Sequence, residues 1–148
     1  MTTFHALTMP DGSVAVMQVV EGADLDEAIR KFADVNPAPV SVRAIALVDI
    51  PADRTFRDAW RDTGAKIEHD MAACRALHMA RIRKARDAEL KRLDVAFMRA
   101  VENDDAIGRG LVAATKQVLR DLPATFDLSS AATVDDLKAR WPGLLPRE

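Results

Sequence analysis

The sequence predicts an α+β protein: a small N-terminal β-β-α-β lobe, a long helix, an antiparallel second helix and a short C-terminal helix. Three observations carry this. The stretch from Asp70 to Val101 holds neither proline nor glycine and is crowded with alanine, leucine, arginine and acidic residues, mostly good helix formers. The first fifty residues instead hold short valine-rich runs broken by Pro10-Asp11-Gly12 and Asn36-Pro37-Ala38-Pro39, the punctuation of strands and turns. Ile107, Leu111, Ala114, Val118 and Leu122 recur at helical spacing, the stripe of a second helix.

In chain order, Phe4 to Met9 and Val14 to Val20 are β-prone, and Asp11-Gly12 between them is a hairpin signal because glycine accepts the positive φ of the turn. Asp24 is placed to cap a short helix with Asp26 and Glu27 near its positive end. Leu25, Ala28, Ile29 and Phe32 make its apolar face. The two prolines end it, and Val40 to Ile50 reads as a third strand. This lobe spans 1–50. Residues 51–66 form a polar connector in which Phe56 and Trp60 stand four apart. The two aromatics either pin a hinge to the body or, with Arg54 and Arg57, form an exposed partner-binding knob, since tryptophan and arginine are favoured at binding hot spots.

Residues 67–148 read as a helical hairpin followed by a short helix. The long helix has a clear seam at Leu90, Leu93, Phe97 and Val101 and a looser one at Met71, Cys74, His78 and Ile82, interrupted near Arg86. At 1.5 Å per residue it spans about 45 Å, longer than a small core needs, so part of it is expected to project or to pair with another chain. Arg83 with Asp87 and Asp87 with Lys91 have helical neighbour spacing. Glu102 to Asp105 is a turn with capping residues. The second helix follows, carries Gly108 and Gly110, and is expected to stop at Pro123, with Arg120 near its C-terminal end. Thr133-x-x-Asp136 resembles a capping box opening a third helix with Val134, Leu137 and Trp141 on its apolar edge. Pro142-Gly143 stops it, and Leu144 to Glu148 is expected to be loose.

The totals narrow the function. A formal charge of −2 gives no global attraction to nucleic acid or anionic membrane. A single cysteine, Cys74, allows no intrachain disulfide. No apolar run is long enough to span a bilayer, and the N-terminus lacks the pattern of a secretory signal. Tyrosine is absent, which argues against a base-stacking surface. Asp70, Cys74 and His78, with His69 adjacent, lie on one helical face and could approach a metal, yet no second cluster completes a tetrahedral set. The basic run from Arg81 to Arg92 supports an alternative reading as a nucleic-acid-binding regulator, against which Asp87 and Glu89 are interleaved. No nucleophile elbow, phosphate-cradling glycine loop or His-Glu-x-x-His is present. The expectation is therefore no enzyme, no metal and no cofactor.

Two stretches resemble bacteriophage proteins. Pro51-x-Asp53-Arg54-Thr55-Phe56-Arg57-x-Ala59-Trp60 looks like a segment of small phage tail-region proteins. Ile82-Arg83-x-x-Arg86-Asp87-x-x-Leu90-x-x-Leu93-Asp94, Gln117-x-Leu119-Arg120-Asp121-Leu122-Pro123 and Trp141-Pro142 are similar to the phage tail assembly chaperone (tail fibre assembly) family. The resemblance implies a non-enzymatic protein in the virion tail or in the host cytoplasm during assembly. It implies tail or tail fibre proteins as partners, several copies in an assembly, and no cofactor. The residues it marks for partner contact are Arg54, Phe56, Arg57, Trp60, Arg83, Arg86, Arg120 and Trp141.

Overall fold

The computed structural model describes residues 2–147. Its elements are β1 (Thr3–Thr8), β2 (Val14–Val19), α1 (Leu25–Ala33), β3 (Ser41–Ile45), β4 (Trp60–Asp62), β5 (Ile67–His69), α2 (Met71–Glu102), α3 (Ala106–Thr125) and α4 (Val134–Ala139), with single 3-10 turns at Leu47–Asp49 and Arg57–Ala59. This is the expected α+β order. The chain divides into two units, Met1–Cys74 and Arg75–Glu148, so α2 contributes to both.

In the first unit β1 is central. It pairs antiparallel with β2 and with β3, giving the order β2-β1-β3. Gly12 (φ +80°) makes the β1–β2 turn, and Asp11 accepts from the backbone N–H and hydroxyl of Ser13. Those bonds, the hydroxyl's foremost, hold the Asp11 carboxyl below its ordinary value. Asp24 caps α1 by accepting from the Asp26 N–H at 2.9 Å. No residue of α1 is buried.

The third strand is shorter than expected. It ends at Ile45, and a 3-10 turn takes up Leu47–Asp49, leaving Leu47 and Val48 exposed. β-branched composition alone does not extend a strand beyond the partner that pairs with it. The connector also holds more structure than its sequence suggests. β4 and β5 form a second hairpin, paired Trp60↔His69 and Asp62↔Ile67. Its turn is set by Gly64 (φ +87°), whose N–H donates to Asp62 at 2.9 Å. Ala6, Val14, Ile45, Ile50, Trp60 and Ile67 make one core, with Phe4 and Val16 packed against it. Register places Phe4, Ala6, Val14 and Val16 on one face of the sheet.

In the second unit α2 runs unbroken to Glu102. Within this unit its buried positions are His78, Ile82, Ala85, Leu93 and Ala100. Ala85 carries the seam past Arg86, while Val101, an expected seam residue, is 40% exposed. Asp104, at φ 52°, reverses the chain, and the Asp105 N–H donates to the Ala100 carbonyl. Asp105 then caps α3 by accepting from the Gly108 N–H at 2.8 Å. Lys116 bonds Asp94 and lies 5.5 Å from the Phe97 ring centroid, so α3 folds back along α2.

Pro123 does not end α3. The helix runs to Thr125 because the Phe126 N–H donates to the Leu122 carbonyl and the Thr125 hydroxyl donates to the Asp121 carbonyl. A proline this close to a C-terminus forfeits one hydrogen bond and leaves a further turn possible. Thr133 caps α4 through the Asp136 N–H at 3.1 Å. The segment after α4 is not loose within the described residues. Leu145 is buried, the Trp141 indole N–H donates to the carbonyls of Leu145 and Pro146, and Arg147 donates to the Ala139 carbonyl.

Candidate functional site

A groove in the first unit gathers Arg54, Arg57 and Trp60 of the residues that sequence reasoning selects, and the outward side of α3 in the second unit forms another exposed surface.

The groove encloses about 810 Å3. Phe4 and Val16 of the sheet, Phe32 of α1, and Arg54, Arg57 and Trp60 of the connector line it. The connector reaches it through a local scaffold. Asp53 accepts from the Thr55 N–H at 2.9 Å, and the Arg57 and Ala59 N–H groups close the turn on Arg54 and Phe56. The exposed-knob reading of the connector aromatics is overturned by their burial. Phe56 is 1% exposed and Trp60 4%, because a large ring next to a sheet face gains more from burial than from solvent. The polar end of Trp60 is also occupied: its indole N–H donates to His69 Nε2 at 3.1 Å. Trp60 nonetheless contributes to the groove wall. Arg54 is exposed with no ion pair among the described residues, and Arg57 makes a loose 3.8 Å pair with Asp58.

One ion pair ties the lobe together. Arg43 on β3 makes two hydrogen bonds to Asp62 on β4, at 2.6 and 3.2 Å. Charge-assisted paired bonds of this kind are the strong ones. The Arg43 guanidinium therefore holds the Asp62 carboxyl below its ordinary value, burial opposing and the Gly64 N–H assisting.

The second surface reverses an expectation. Of the stripe Ile107, Leu111, Ala114, Val118 and Leu122 predicted to face inward on α3, Leu122 is buried, but Ile107, Leu111 and Val118 are 79%, 66% and 50% exposed. The inward positions are Leu119 and Leu122, with Val112, Thr115 and Lys116 half-buried. The helix thus has a broad apolar arc, part used within the unit and part presented outward. Gly110 lies on the outward side, with open space where a Cβ would stand.

The remaining selected residues are scattered. Arg83 and Arg120 are exposed, and neither has an ion pair among the described residues. The expected Arg83–Asp87 pair is not formed: Arg86, half-buried, takes Asp87 at 2.8 Å, and Arg92 takes Glu89 at 2.6 Å. The guanidinium of Arg92 lowers the pKa of Glu89. Trp141 is held by its tail contacts and stands edge-on to His78, 5.7 Å between ring centroids.

Of the metal-spaced residues, Asp70 accepts from the Ala72 and Ala73 N–H groups at the start of α2, Cys74 is buried, and His78 donates from Nε2 to the Arg140 carbonyl. Among the described residues no group of three or more metal-ligating side chains comes together.

Comparison with protein-family models, characterised proteins and solved structures finds no match. Sequence reasoning missed the outward turn of the α3 stripe. The available signal was Val112 and Leu119, each one position after a stripe residue, which widen the apolar face about a quarter-turn to one side.

Proposed function

We propose that the chain is a non-enzymatic, phage tail-associated protein, a structural part of the tail or a participant in tail fibre assembly, acting through protein–protein contacts. The phage context comes from the two motif-bearing stretches. The contact role is carried by one observation: α3 presents Ile107, Leu111 and Val118 to solvent along a helix whose adjoining face is already packed through Leu119 and Leu122. Scattered exposed apolar residues need no explanation, but a row of them on one helix marks an interaction surface. An amphipathic partner helix laid against such a row is a common recognition mode. The nucleic-acid alternative draws on the basic face of α2, where Arg86 and Arg92 already have acidic partners.

The test joins mass spectrometry of purified particles with capture of tail proteins by the wild-type chain and by Leu111→Glu. Presence in the particle supports the structural role, and capture without presence supports the assembly role. The variant changes an exposed site, so stability is expected to stay within about 0.5 kcal/mol of wild type while capture falls. A chain absent from the particle that binds no tail protein would end both versions.

A further inference from the structure

β2 is an edge strand: the sheet order β2-β1-β3 gives it one neighbour. The phase of its hydrogen bonds follows from the hairpin turn. The Met9 N–H donates to the Ser13 carbonyl at 2.9 Å, so Met9 and Ser13 are a hydrogen-bonded pair. Such pairs alternate along an antiparallel ladder, and the register carries them to Leu7–Ala15, His5–Met17 and Thr3–Val19. Val14, Val16 and Gln18 therefore turn their N–H and C=O groups away from β1. The far side of β1 agrees in phase. Thr8, opposite Val14, points its carbonyl toward β3, and the Val40 N–H donates to it at 2.8 Å. No bond to the outward groups of β2 forms among the described residues.

Sheet edges are usually blunted by charge, proline or a bulge. β3 has such a device, since Arg43 lies on it and donates to its Ala44 carbonyl. β2 has none: Val14–Val19 holds no charged residue and no proline, and its register is unbroken. Val14 is buried and Val16 half-buried, a setting in which unpaired main-chain groups are costlier than on an open surface.

The groove of the first unit follows this edge. Val14, Ala15 and Val16 all line it, although neighbours in a strand point to opposite faces of a sheet. A cavity that touches all three runs along the strand itself. Phe32 of α1 and Arg54 of the connector also line it. The charged groups of the lining differ in freedom. Asp11 is engaged by Ser13 and Asp58 pairs loosely with Arg57, while Arg54 has no ion pair among the described residues.

We propose that the free edge of β2 takes an extended segment of another protein as a fourth strand, with an acidic residue of that segment meeting Arg54. Main-chain donors and acceptors repeating at every second residue match an extended polypeptide rather than a compact ligand. The assignment rests neither on the tail-protein reading nor on the exposed row of α3.

NMR and amide exchange on the full chain test it. In the free chain the Val14, Val16 and Gln18 amides are expected to exchange faster than those of Ala15, Met17 and Val19. The probe is a capped hexapeptide of alternating valine and threonine with glutamate, or lysine for comparison, at either central position. The glutamate peptide is expected to shift the three outward amides and the Trp60 indole signal to saturation and to leave the Trp141 indole in place. Methylating two consecutive central nitrogens spoils both edges of the peptide and is expected to weaken binding by about tenfold or more. Arg54→Gln, an exposed change, is expected to erase a preference of about two- to fivefold for glutamate over lysine. No saturable shift with any of these peptides overturns the proposal, as does binding that survives methylation. Equal affinity of the wild type for the glutamate and lysine peptides overturns the acidic partner. Uniform amide protection along β2 in a chain that sediments as a dimer gives the edge to a second copy and overturns it as well.

Discussion

Single side chains fix the first unit at one point above others, the Arg43–Asp62 pair. Asp62 is largely buried, with a side chain 10% exposed, and it accepts from Arg43 and from the Gly64 N–H together. Asp62→Asn keeps the shape and removes the charge, and it is expected to lower stability by about 1–2 kcal/mol in urea denaturation at neutral pH. The pH dependence has a definite sign. The carboxyl is lowered in the folded chain relative to its ordinary value of 3.8. Its contribution is therefore complete above that value and is lost as pH falls through the lower folded value. The stability curves of the wild type and of the Asp62→Asn variant should converge in that acidic window and stay apart above it. Arg43 has a second role. Its Nη1 donates to the Ala44 carbonyl, which occupies an acceptor on β3, an edge strand of the sheet.

Among the elements, α3 shows how two glycines of one helix differ. Both should cost helix stability relative to alanine. At Gly110 an added Cβ meets nothing, so Gly110→Ala is expected to stabilise by about 0.5–1 kcal/mol. At Gly108 the added Cβ collides with the Asp105 carboxylate that caps the helix. Losing that cap costs about 1 kcal/mol, which cancels the propensity gain, so Gly108→Ala is expected to be near neutral. Thermal melts of the two variants side by side decide this.

The same helix marks the limit of what the sequence reveals. The caps at Asp24, Asp105 and Thr133 and the span of α2 were legible, because a cap depends on residues two or three positions away and a helix on its own composition. Which part of the broad apolar arc of α3 turns inward depends on α2, and the arc itself, widened by Val112 and Leu119, does not single it out. The β4–β5 hairpin was hidden for a related reason. Its strands are three residues each, too short for alternation to register, and only Gly64 in the turn signalled it. The candidate surfaces were legible in part. Arg54, Arg57 and Trp60 do meet at one groove, while a partner-binding role for Phe56 and Trp60 needs exposed rings and both are buried.

Taken whole, the molecule consists of two units, each with its own strongly buried residues: Leu7, Phe56 and Cys74 in the first, Ile82, Leu119 and Leu137 in the second. The groove is lined by residues of the first unit alone. The boundary between the two units falls within α2, after Cys74.

Cys74 lies on α2 with 0% exposure and is the chain's single cysteine. The protein thus carries an internal clock. A thiol-modifying reagent will react at the rate at which residue 74 becomes uncovered, because no other sulfhydryl competes for it. Labelling followed by mass spectrometry should proceed far more slowly in buffer than in denaturant. Prompt labelling under native conditions would mean that this stretch of α2 opens readily.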